Sequence, residues 1–482
     1  MTGVVLVFSL LTWTGLQHVG DSIASDSKAF KEYAELLDRE GRLPTPDENY
    51  EYSLPPLLPV LGVVADRVAR NLDWAPGRPL ADLPSPVRRI AWLVLALGAL
   101  ALLVASRRRT LWWLVGLGGA ALAAGWAAAY LWSFAVEQPW GPKVLTSVAS
   151  NVVLIVLAAL LAREVWPEGR LEPVLVAAAT AALPAVLRIG LVFHPDPLFA
   201  VLSLGALLLV LRARRRGWGW PEAVAAGFLL GLAALTRQAA PAVMGTLAAV
   251  AIVLGRRAAV QFVAVGIVAT LAVAGPWWAY QTDRLGNPIQ SNLDRPGYML
   301  DRQPLSFFVS FPPELVTRPY RESFKNELFP KFHAELWSDW FGTIHDWTNP
   351  SDADRVLAST QSVLGLVADG LALAGLGFFG VPALRRVLGR RASKAADPVL
   401  AALTVFAVLP WLAYVVTLLR FPQADGDPIK AYYLLFLAPV FMIFALCSAD
   451  WLWRRSRHVR VALVAWLGLY AVSYGGVLWT SF

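Results

Sequence analysis

The sequence contains few charged residues and almost no cysteine. Asp, Glu, Lys and Arg make up 16% of its 482 residues, whereas hydrophobic residues make up 57%. So few charges cannot cover a soluble protein of this length, which excludes an ordinary soluble globular class. The single cysteine, Cys447, lies in an apolar run and can form no intrachain disulfide. Cysteine usage therefore gives no information on the redox compartment.

Features of a cleaved leader and of a separate soluble domain are also lacking. The apolar stretch 3–17 has no basic segment before it and no A-x-A-like cleavage site after it. We therefore expect a retained first helix rather than a signal peptide. No internal repeat is visible, and no soluble domain longer than the loops described below.

Apolar runs of transmembrane length recur along the chain. A spanning α-helix needs about 20 mainly apolar residues, and lipid favours helices because each satisfies its own backbone hydrogen bonds. We predict an all-α polytopic membrane protein with about 13 transmembrane helices in a single domain, 1–482. The predicted spans are 3–17, 90–105, 111–136, 145–162, 171–188, 197–212, 221–236, 238–255, 258–281, 358–384, 398–419, 431–449 and 460–480.

Lys and Arg cluster in short runs beside the apolar segments and give a formal net charge of +8. Cytoplasmic loops of membrane proteins carry the Lys/Arg excess. If all predicted spans are accepted, the runs fall in alternate loops, which indicates a multi-pass plasma-membrane protein with these loops inside. The runs are better explained as topology determinants than as a nucleic-acid surface, so we expect no nucleic-acid partner.

Two long loops fall on the extracytoplasmic side in this topology, at 18–89 and 282–357. Within the first, 27–39 has helical character with Phe30 and Tyr33 on one face, as in an interfacial amphipathic helix. The second is rich in aromatic residues between Phe307 and Trp347, a pattern that fits either an interfacial belt or a cover over a binding cleft. We expect short interfacial helices in both loops.

Several short motifs resemble those of the lipid-linked-sugar glycosyltransferases of the GT-C superfamily, which include protein O-mannosyltransferases and aminoarabinose transferases. The first loop has an acidic residue, an aromatic-bearing helix, a Gly-Arg-x-Pro step and a Tyr/Glu-rich run that ends in Pro-Pro-Leu. A second acidic residue precedes a predicted span, and a basic residue lies between two other predicted spans. The matching positions are Asp26, Gly41 to Pro44, "YEYSLPPL" (50–57), Asp196, "GLAALTRQAA" (231–240) and "AGPWWAYQTDRLGNP" (274–288).

The resemblance implies a GT-C-like fold and transfer of a sugar from a polyprenyl-phosphate carrier to a glycan, lipid or protein acceptor. The transferred sugar would be a hexose or a pentose. Asp26 matches the catalytic carboxylate, a general base for the acceptor nucleophile. Asp196 would assist it, with His194 as a partner; the alternative is that Asp196 only caps the following helix. The substrate-binding candidates are Arg237 for the phosphate, Lys430, Arg188, His194, Tyr50, Glu51 and Tyr52.

The sequence departs from the family pattern at two places; the first means that phosphate binding must rest on another residue, and the second bears on the acceptor class. The aminoarabinose transferases carry a Lys before the proline of the first-loop motif, where this chain has Leu54, and 90–136 forms an extra helical hairpin. A divalent metal is the alternative to metal-free chemistry, since the pairs Asp352/Asp354 and Asp425/Asp427 have suitable spacing, although such residues also form turns. We expect no metal or other cofactor.

Two other functions fit parts of the pattern. A secondary transporter also has many spans and a few buried charges, but it should show related halves and polar sites near the middle of the membrane. A non-catalytic partner in polysaccharide export would keep the fold without the reaction. In this chain the polar motifs gather at one face, which favours the glycosyltransferase.

Overall fold

The computed structural model describes residues 1, 3–5, 8, 12, 25–71, 141–290, 304–320, 327–338, 351–389, 396–420 and 430–481. All secondary structure in these ranges is helical, as the apolar runs predict. The predicted hairpin 90–136 lies outside the described residues, and so does most of the predicted first helix, 3–17.

The described ranges contain α-helices, a π-helical turn and a 3-10 helix. Those before the second long loop are α1 (Ser25–Glu40), α2 (Leu57–Asn71), α3 (Gly141–Val165), α4 (Glu172–Ala181), α5 (Pro184–Gly190), α6 (Pro195–Arg215), α7 (Trp220–Ala234), α8 (Ala240–Gly255) and α9 (Arg257–Leu285). Those that follow are α10 (Leu305–Val309), α11 (Glu314–Thr317), α12 (Leu328–Trp337), α13 (Asp352–Gly375), a π-helical turn (Leu376–Gly380), α14 (Val381–Leu388), α15 (Asp397–Arg420), a 3-10 helix (Ala431–Leu437), α16 (Ala438–Trp453) and α17 (Arg457–Ser481).

Six helical segments in the described ranges are long and apolar enough to cross a membrane, and the bent pair α4/α5 makes up to seven. The six are Lys143–Val165, Pro195–Arg215, Arg257–Leu285, Asp352–Leu388, Asp397–Arg420 and Ala431–Trp453. Each coincides with a predicted span. The protein is therefore a multi-pass membrane protein, while the total of about 13 spans stays a prediction.

Helices α7 and α8 are shorter than the others and form a hairpin around Arg237. They contain 15 and 16 residues. At about 1.5 Å per residue neither reaches the roughly 30 Å thickness of the hydrocarbon core. The predicted spans 221–236 and 238–255 are therefore helical as expected, but each is short for a full crossing.

The predicted span 171–188 is one helix broken into α4 and α5, which are bent by 61°. Leu183 has an extended backbone and Pro184 starts α5, because proline cannot continue the preceding hydrogen-bond ladder. Every residue of α5 is buried. The break directs the chain into the segment that leads to His194.

Helix α6 occupies the centre of the bundle, where it packs against α3, α7 and the 3-10 helix. Fourteen of its 21 residues are buried. Phe199, in its second turn, meets Phe436 of the 3-10 helix with ring centroids 5.7 Å apart. This packing fixes the N-terminus of α6, which carries Asp196, beside the segment that carries Lys430.

The chain places its basic runs and its candidate site residues at opposite ends of the bundle. At one end, which we call the basic end, Arg256 Nη2 donates to the carbonyl oxygen of Leu388 at 2.8 Å, and Arg386 pairs with Asp397 at 2.7 Å. The basic end carries Arg212, Arg214, Arg215, Arg216, Arg256, Arg257, Arg385, Arg386, Arg454 and Arg455. The other end, the site end, carries Asp26, Asp196, Arg237 and Lys430.

Helix α1 confirms the amphipathic helix predicted at 27–39. Phe30 and Tyr33 are buried against α2 and α3, together with Phe193. Asp38, on the outer face of α1, pairs with Arg67 at 2.8 Å and with Arg70 at 2.5 Å. The first turn of α1, which contains Asp26, is thereby held over the site end.

In the second loop, α12 packs on α5, α13 and the 3-10 helix. Phe332 meets Trp411 and Tyr414 of α15 with ring centroids 4.7 Å and 6.3 Å apart. His333 Nδ1 lies 2.6 Å from Asp369 Oδ2 of α13. This part of the aromatic loop therefore lies on the bundle beside the segment that carries Lys430.

Candidate active site

The first carboxylate of the site belongs to Asp26, in the first turn of α1. Its Oδ2 lies 2.5 Å from the ammonium of Lys430, 404 residues further along the chain. The hydroxyl of Tyr50 donates a hydrogen bond to Oδ1 of Asp26. The fold thus joins three residues that the sequence predicted as site residues.

Lys430 stands directly before the 3-10 helix and is itself buried, at 7% exposure. Its backbone N–H donates to the hydroxyl of Tyr414 at 2.9 Å. Its ammonium lies 5.9 Å from the ring centroid of Tyr432 and 5.7 Å from that of Tyr433. An ammonium so enclosed needs an anionic partner, which Asp26 supplies.

The second carboxylate is Asp196, which is buried at the start of α6. Its Oδ2 lies 2.7 Å from Nδ1 of His194, and its Oδ1 lies 3.4 Å from Nε of Arg237. A helix N-terminus favours a carboxylate in the first turn, so the capping explanation accounts for part of this placement. It does not account for the imidazole and guanidinium that meet the same carboxylate.

Tyr433 links the two carboxylate pairs and was not predicted from the sequence. The guanidinium of Arg237 stacks over its ring, 4.5 Å from the centroid, and the Lys430 ammonium faces the same ring. The sequence signal for it was the pair of tyrosines in "DPIKAYYLLF", two and three residues after a basic residue at a helix start. Cation–π contacts of this kind hold two cations near each other despite their repulsion.

The motif "YEYSLPPL" is fastened to the turn between α7 and α8. Gln238 and Gln281 each donate a side-chain N–H to the carbonyl oxygen of Ser53 at 2.9 Å. The N–H of Leu57 donates to the carbonyl oxygen of Leu235 at 2.8 Å. These bonds explain why the first-loop motif and the "LTRQ" turn, far apart in sequence, belong to one site.

Burial and neighbouring charges set the protonation of the first-loop residues. Burial alone would raise the pKa of Asp26, but Lys430 and the hydrogen bonds to it hold that pKa well below its usual range. Burial and the Asp26 charge raise the pKa of Tyr50, so the phenol keeps its proton. Burial, together with Asp26, raises the pKa of Glu51 to about 7, against the opposing charges of Arg237 and Lys430.

Two predicted site residues, Arg188 and Tyr52, have other surroundings, and so does Leu54. Arg188 Nη1 lies 3.5 Å from Oε2 of Glu335, and the guanidinium also donates to the Glu335 carbonyl oxygen. It thus ties α5 to α12 of the second loop. Tyr52 is buried in the turn of the first-loop motif, at 4% exposure. Leu54, at the position where the aminoarabinose transferases carry a lysine, is buried, and its carbonyl oxygen accepts a hydrogen bond from the Tyr33 hydroxyl.

The site carboxylates have partners within the protein in the described ranges. No group of three or more His, Cys, Asp or Glu side chains in the described ranges is arranged to hold one. Asp26 and Asp196 each face a cation of the protein itself. Asp354 forms a capping box with Ser351 at the start of α13. This corresponds to the alternative explanation of the pair Asp352/Asp354 as residues that form a turn. The pair Asp425/Asp427 lies outside the described residues.

The site end thus brings together two carboxylates, two permanent cations and a tyrosine-lined wall. An anionic carboxylate can accept a proton or orient a nucleophile, and the cations can bind a phosphate. The guanidinium of Arg237 offers two parallel donors, whereas the Lys430 ammonium acts as a point charge. The arrangement has the groups needed to activate an acceptor and to stabilise a phosphate leaving group.

No family model and no curated protein matches the sequence. The archaeal oligosaccharyltransferase AglB from Archaeoglobus fulgidus, solved with an inhibitory peptide and a dolichol-phosphate, is similar with a TM-score of 0.50 and 14% identity, over 99% of this chain and 55% of AglB. ArnT from Cupriavidus metallidurans, bound to undecaprenyl phosphate, is similar with a TM-score of 0.41 and 16% identity, over 99% of this chain and 77% of ArnT.

The chain spans about half the length of AglB. At such low identity the similarity concerns the fold, and it agrees with the motifs at Asp26, Asp196 and 231–240. The protein therefore has a fold similar to that of the oligosaccharyltransferase AglB over the part of AglB that it spans, which agrees with the GT-C-like fold predicted from the sequence.

Proposed function

We propose that the protein transfers a hexose or pentose from a polyprenyl-phosphate carrier to a glycan, lipid or protein acceptor. The observation that supports this most directly is the 2.5 Å contact between Asp26 and Lys430. A second carboxylate–cation contact, Asp196 with Arg237 at 3.4 Å, lies at the same end of the bundle. Such a site supplies a carboxylate for the acceptor and cations for the departing phosphate.

In this proposal the residues have distinct roles. Asp26 takes the proton of the acceptor nucleophile. Tyr50 orients the Asp26 carboxylate through the hydrogen bond that its hydroxyl donates to Oδ1. Arg237 and Lys430 bind the carrier phosphate. Asp196 positions Arg237. Glu51, Tyr52, His194 and Arg188 complete the substrate-binding surroundings, the last through the helix of the second loop.

The basic end supports a location with the site on the extracytoplasmic side of the plasma membrane. Cytoplasmic loops carry the Lys/Arg excess, and the basic end contains the runs at 212–216, 256–257, 385–386 and 454–457. The site end would then face the outer leaflet, where a polyprenyl-phosphate sugar is available to an envelope acceptor. The lipid bilayer surrounds the protein in this proposal and is therefore one of its partners.

The experiment uses purified protein in proteoliposomes with a panel of radiolabelled polyprenyl-phosphate sugars and envelope acceptors. Asp26→Asn should lower transfer by roughly 100-fold or more, because it removes the proton acceptor. Asp38→Asn is the matched control, since Asp38 lies on the same helix in exposed ion pairs with Arg67 and Arg70. Full activity in Asp26→Asn, with normal expression and insertion, would show that transfer does not require this carboxylate and would refute its proposed central role.

The same proteoliposomes separate the other two functions. The broken pair α4/α5 is a feature that transporters share. Uptake of a solute without any lipid-linked sugar would favour a transporter. Binding of a polyprenyl phosphate without turnover would instead indicate a non-catalytic export partner.

A further inference from the structure

Tyr414 of α15 lies where the second loop meets the segment that carries Lys430. Its ring centroid is 6.3 Å from that of Phe332 in α12, 5.8 Å from that of Trp411 in its own helix and 6.5 Å from that of Tyr433 in the 3-10 helix. The side chain is buried. Aromatic rings from three elements therefore fix the direction in which the Tyr414 hydroxyl points.

The Tyr414 hydroxyl accepts a hydrogen bond from the backbone N–H of Lys430 at 2.9 Å. Lys430 has an extended backbone and directly precedes the 3-10 helix, and a helix cannot itself satisfy the N–H groups at its start. Lys430 is buried, and a buried N–H without an acceptor costs free energy. The hydroxyl thus supplies an acceptor at a position where the backbone needs one.

This hydrogen bond bears on the ammonium because it fixes the backbone from which the side chain extends. A lysine carries its charge at the end of a flexible aliphatic stem, so the stem alone does not determine where the charge lies. The 3-10 helix restrains Lys430 on its C-terminal side, and the bond to Tyr414 restrains its N–H. From the backbone held in this way, the ammonium reaches Oδ2 of Asp26 at 2.5 Å.

The placement of the Lys430 ammonium matters because two anionic groups depend on it. In the proposed function it meets the Asp26 carboxylate and the carrier phosphate. The attraction between charges falls with distance, and a misplacement of about 1 Å in an active site lowers the rate strongly. A residue that fixes the Lys430 backbone therefore affects phosphate binding without contact to the phosphate.

We propose that Tyr414 is a positioning residue for binding of the carrier phosphate and that it acts through the backbone of Lys430. This inference rests on the proposed function, in which Lys430 and Arg237 bind that phosphate. The second loop takes part in the arrangement through Phe332, because the Phe332 ring packs against the ring of Tyr414.

The first test measures the Kd of a radiolabelled polyprenyl phosphate without a sugar, bound to the purified protein in proteoliposomes. Tyr414→Phe keeps the ring contacts and removes the hydroxyl that accepts the Lys430 N–H, so the Kd should rise by about 5-fold. Tyr470→Phe is the matched control, because Tyr470 is also buried and its hydroxyl donates to the carbonyl oxygen of Ala182 at 2.8 Å. This control should lose a similar amount of thermal stability and keep the wild-type Kd.

A second measurement separates the positioning of Lys430 from a merely structural role. In the background Lys430→Met with Asp26→Asn, which removes both charges of the pair, Tyr414→Phe should leave the Kd unchanged, since the ammonium that it positions is absent. A wild-type Kd in Tyr414→Phe, an equal increase in Tyr470→Phe, or the same increase in that background would overturn the inference. A wild type that binds no polyprenyl phosphate would overturn it together with the phosphate-binding roles of Lys430 and Arg237. A wild type that binds the probe but transfers no sugar would refute only the proposed function.

Discussion

Lys430 gives the sharpest test of how the site is held together. Lys430→Met keeps the length of the side chain and removes its charge, which leaves the Asp26 carboxylate enclosed without its cation. The two side chains are 8% and 15% exposed, and their charged atoms are 2.5 Å apart. At this separation two unit charges attract by about 7 kcal/mol at an effective dielectric constant of about 20.

Much of that attraction only offsets the cost of removing both ions from water. The net value of the pair is therefore small, whereas breaking it from one side costs about 3–5 kcal/mol, since one buried charge remains. We expect Lys430→Met to lower the thermal midpoint strongly. Lys430→Met combined with Asp26→Asn should recover part of that loss. Arg70→Met, which breaks an exposed pair with Asp38, should cost less than about 1 kcal/mol.

The pH dependence of the Lys430→Met effect has a definite sign. Because the pKa of Asp26 lies below its usual value in the folded protein, the pair stabilises the fold at every pH above the usual carboxyl pKa. This stabilisation is lost as the pH falls toward the folded-state pKa. Thermal unfolding followed by tryptophan fluorescence should thus show a constant gap between wild type and variant near neutral pH and a smaller gap in strong acid. An additive double mutant, or a gap that widens in acid, would refute the reasoning.

Three further predictions concern the groups around this pair. Tyr433→Leu should weaken donor binding by roughly 30-fold, because a desolvated cation–π contact with Arg237 contributes about 2 kcal/mol, and Tyr433→Phe should retain most of it, as measured by donor KM. The pKa of Glu51 is raised to about 7 in the folded protein, so Glu51 stabilises the fold at low pH, where it is protonated, and this stabilisation is lost as the pH rises through that value. The thermal midpoint of the wild type should therefore fall as the pH rises through this range, and it should fall less in Glu51→Gln. EDTA should leave transfer unchanged, because Lys430 and Arg237 already neutralise both carboxylates; loss of activity restored by a divalent ion would contradict this.

The sequence predicts the helical spans well because each depends on local composition. The runs at 145–162, 258–281 and 398–419 needed only length and apolarity, and all three coincide with helices that are long and apolar enough to cross a membrane. The break between α4 and α5 has a local signal in Pro184, yet the direction of the bend depends on packing against α12 and the 3-10 helix. The shortness of α7 and α8 was visible only as a weak pair of spans.

The site is predictable in part for a different reason. Asp26, Asp196, Arg237 and Lys430 could be proposed because charges beside apolar runs are costly and therefore informative. The sequence could not show which of these residues pair, because Asp26 and Lys430 are separated by 404 residues and meet only when α1 docks on the bundle. Arg188 is also a charge beside an apolar run and was predicted as a site residue for the same reason. In the structure it instead pairs with Glu335 of the second loop.

The balance of charge in the site bears on how a donor would enter it. Asp26 and Asp196 are matched by Lys430 and Arg237, so the four groups together are neutral. A phosphodiester adds a negative charge to this enclosed region, and either a carboxylate must take up a proton or a cation must leave its partner. Glu51 has a pKa of about 7 and is the carboxyl best suited to change protonation at neutral pH. Donor binding should therefore be coupled to proton uptake by Glu51, which would leave Asp26 as the anion that meets the acceptor.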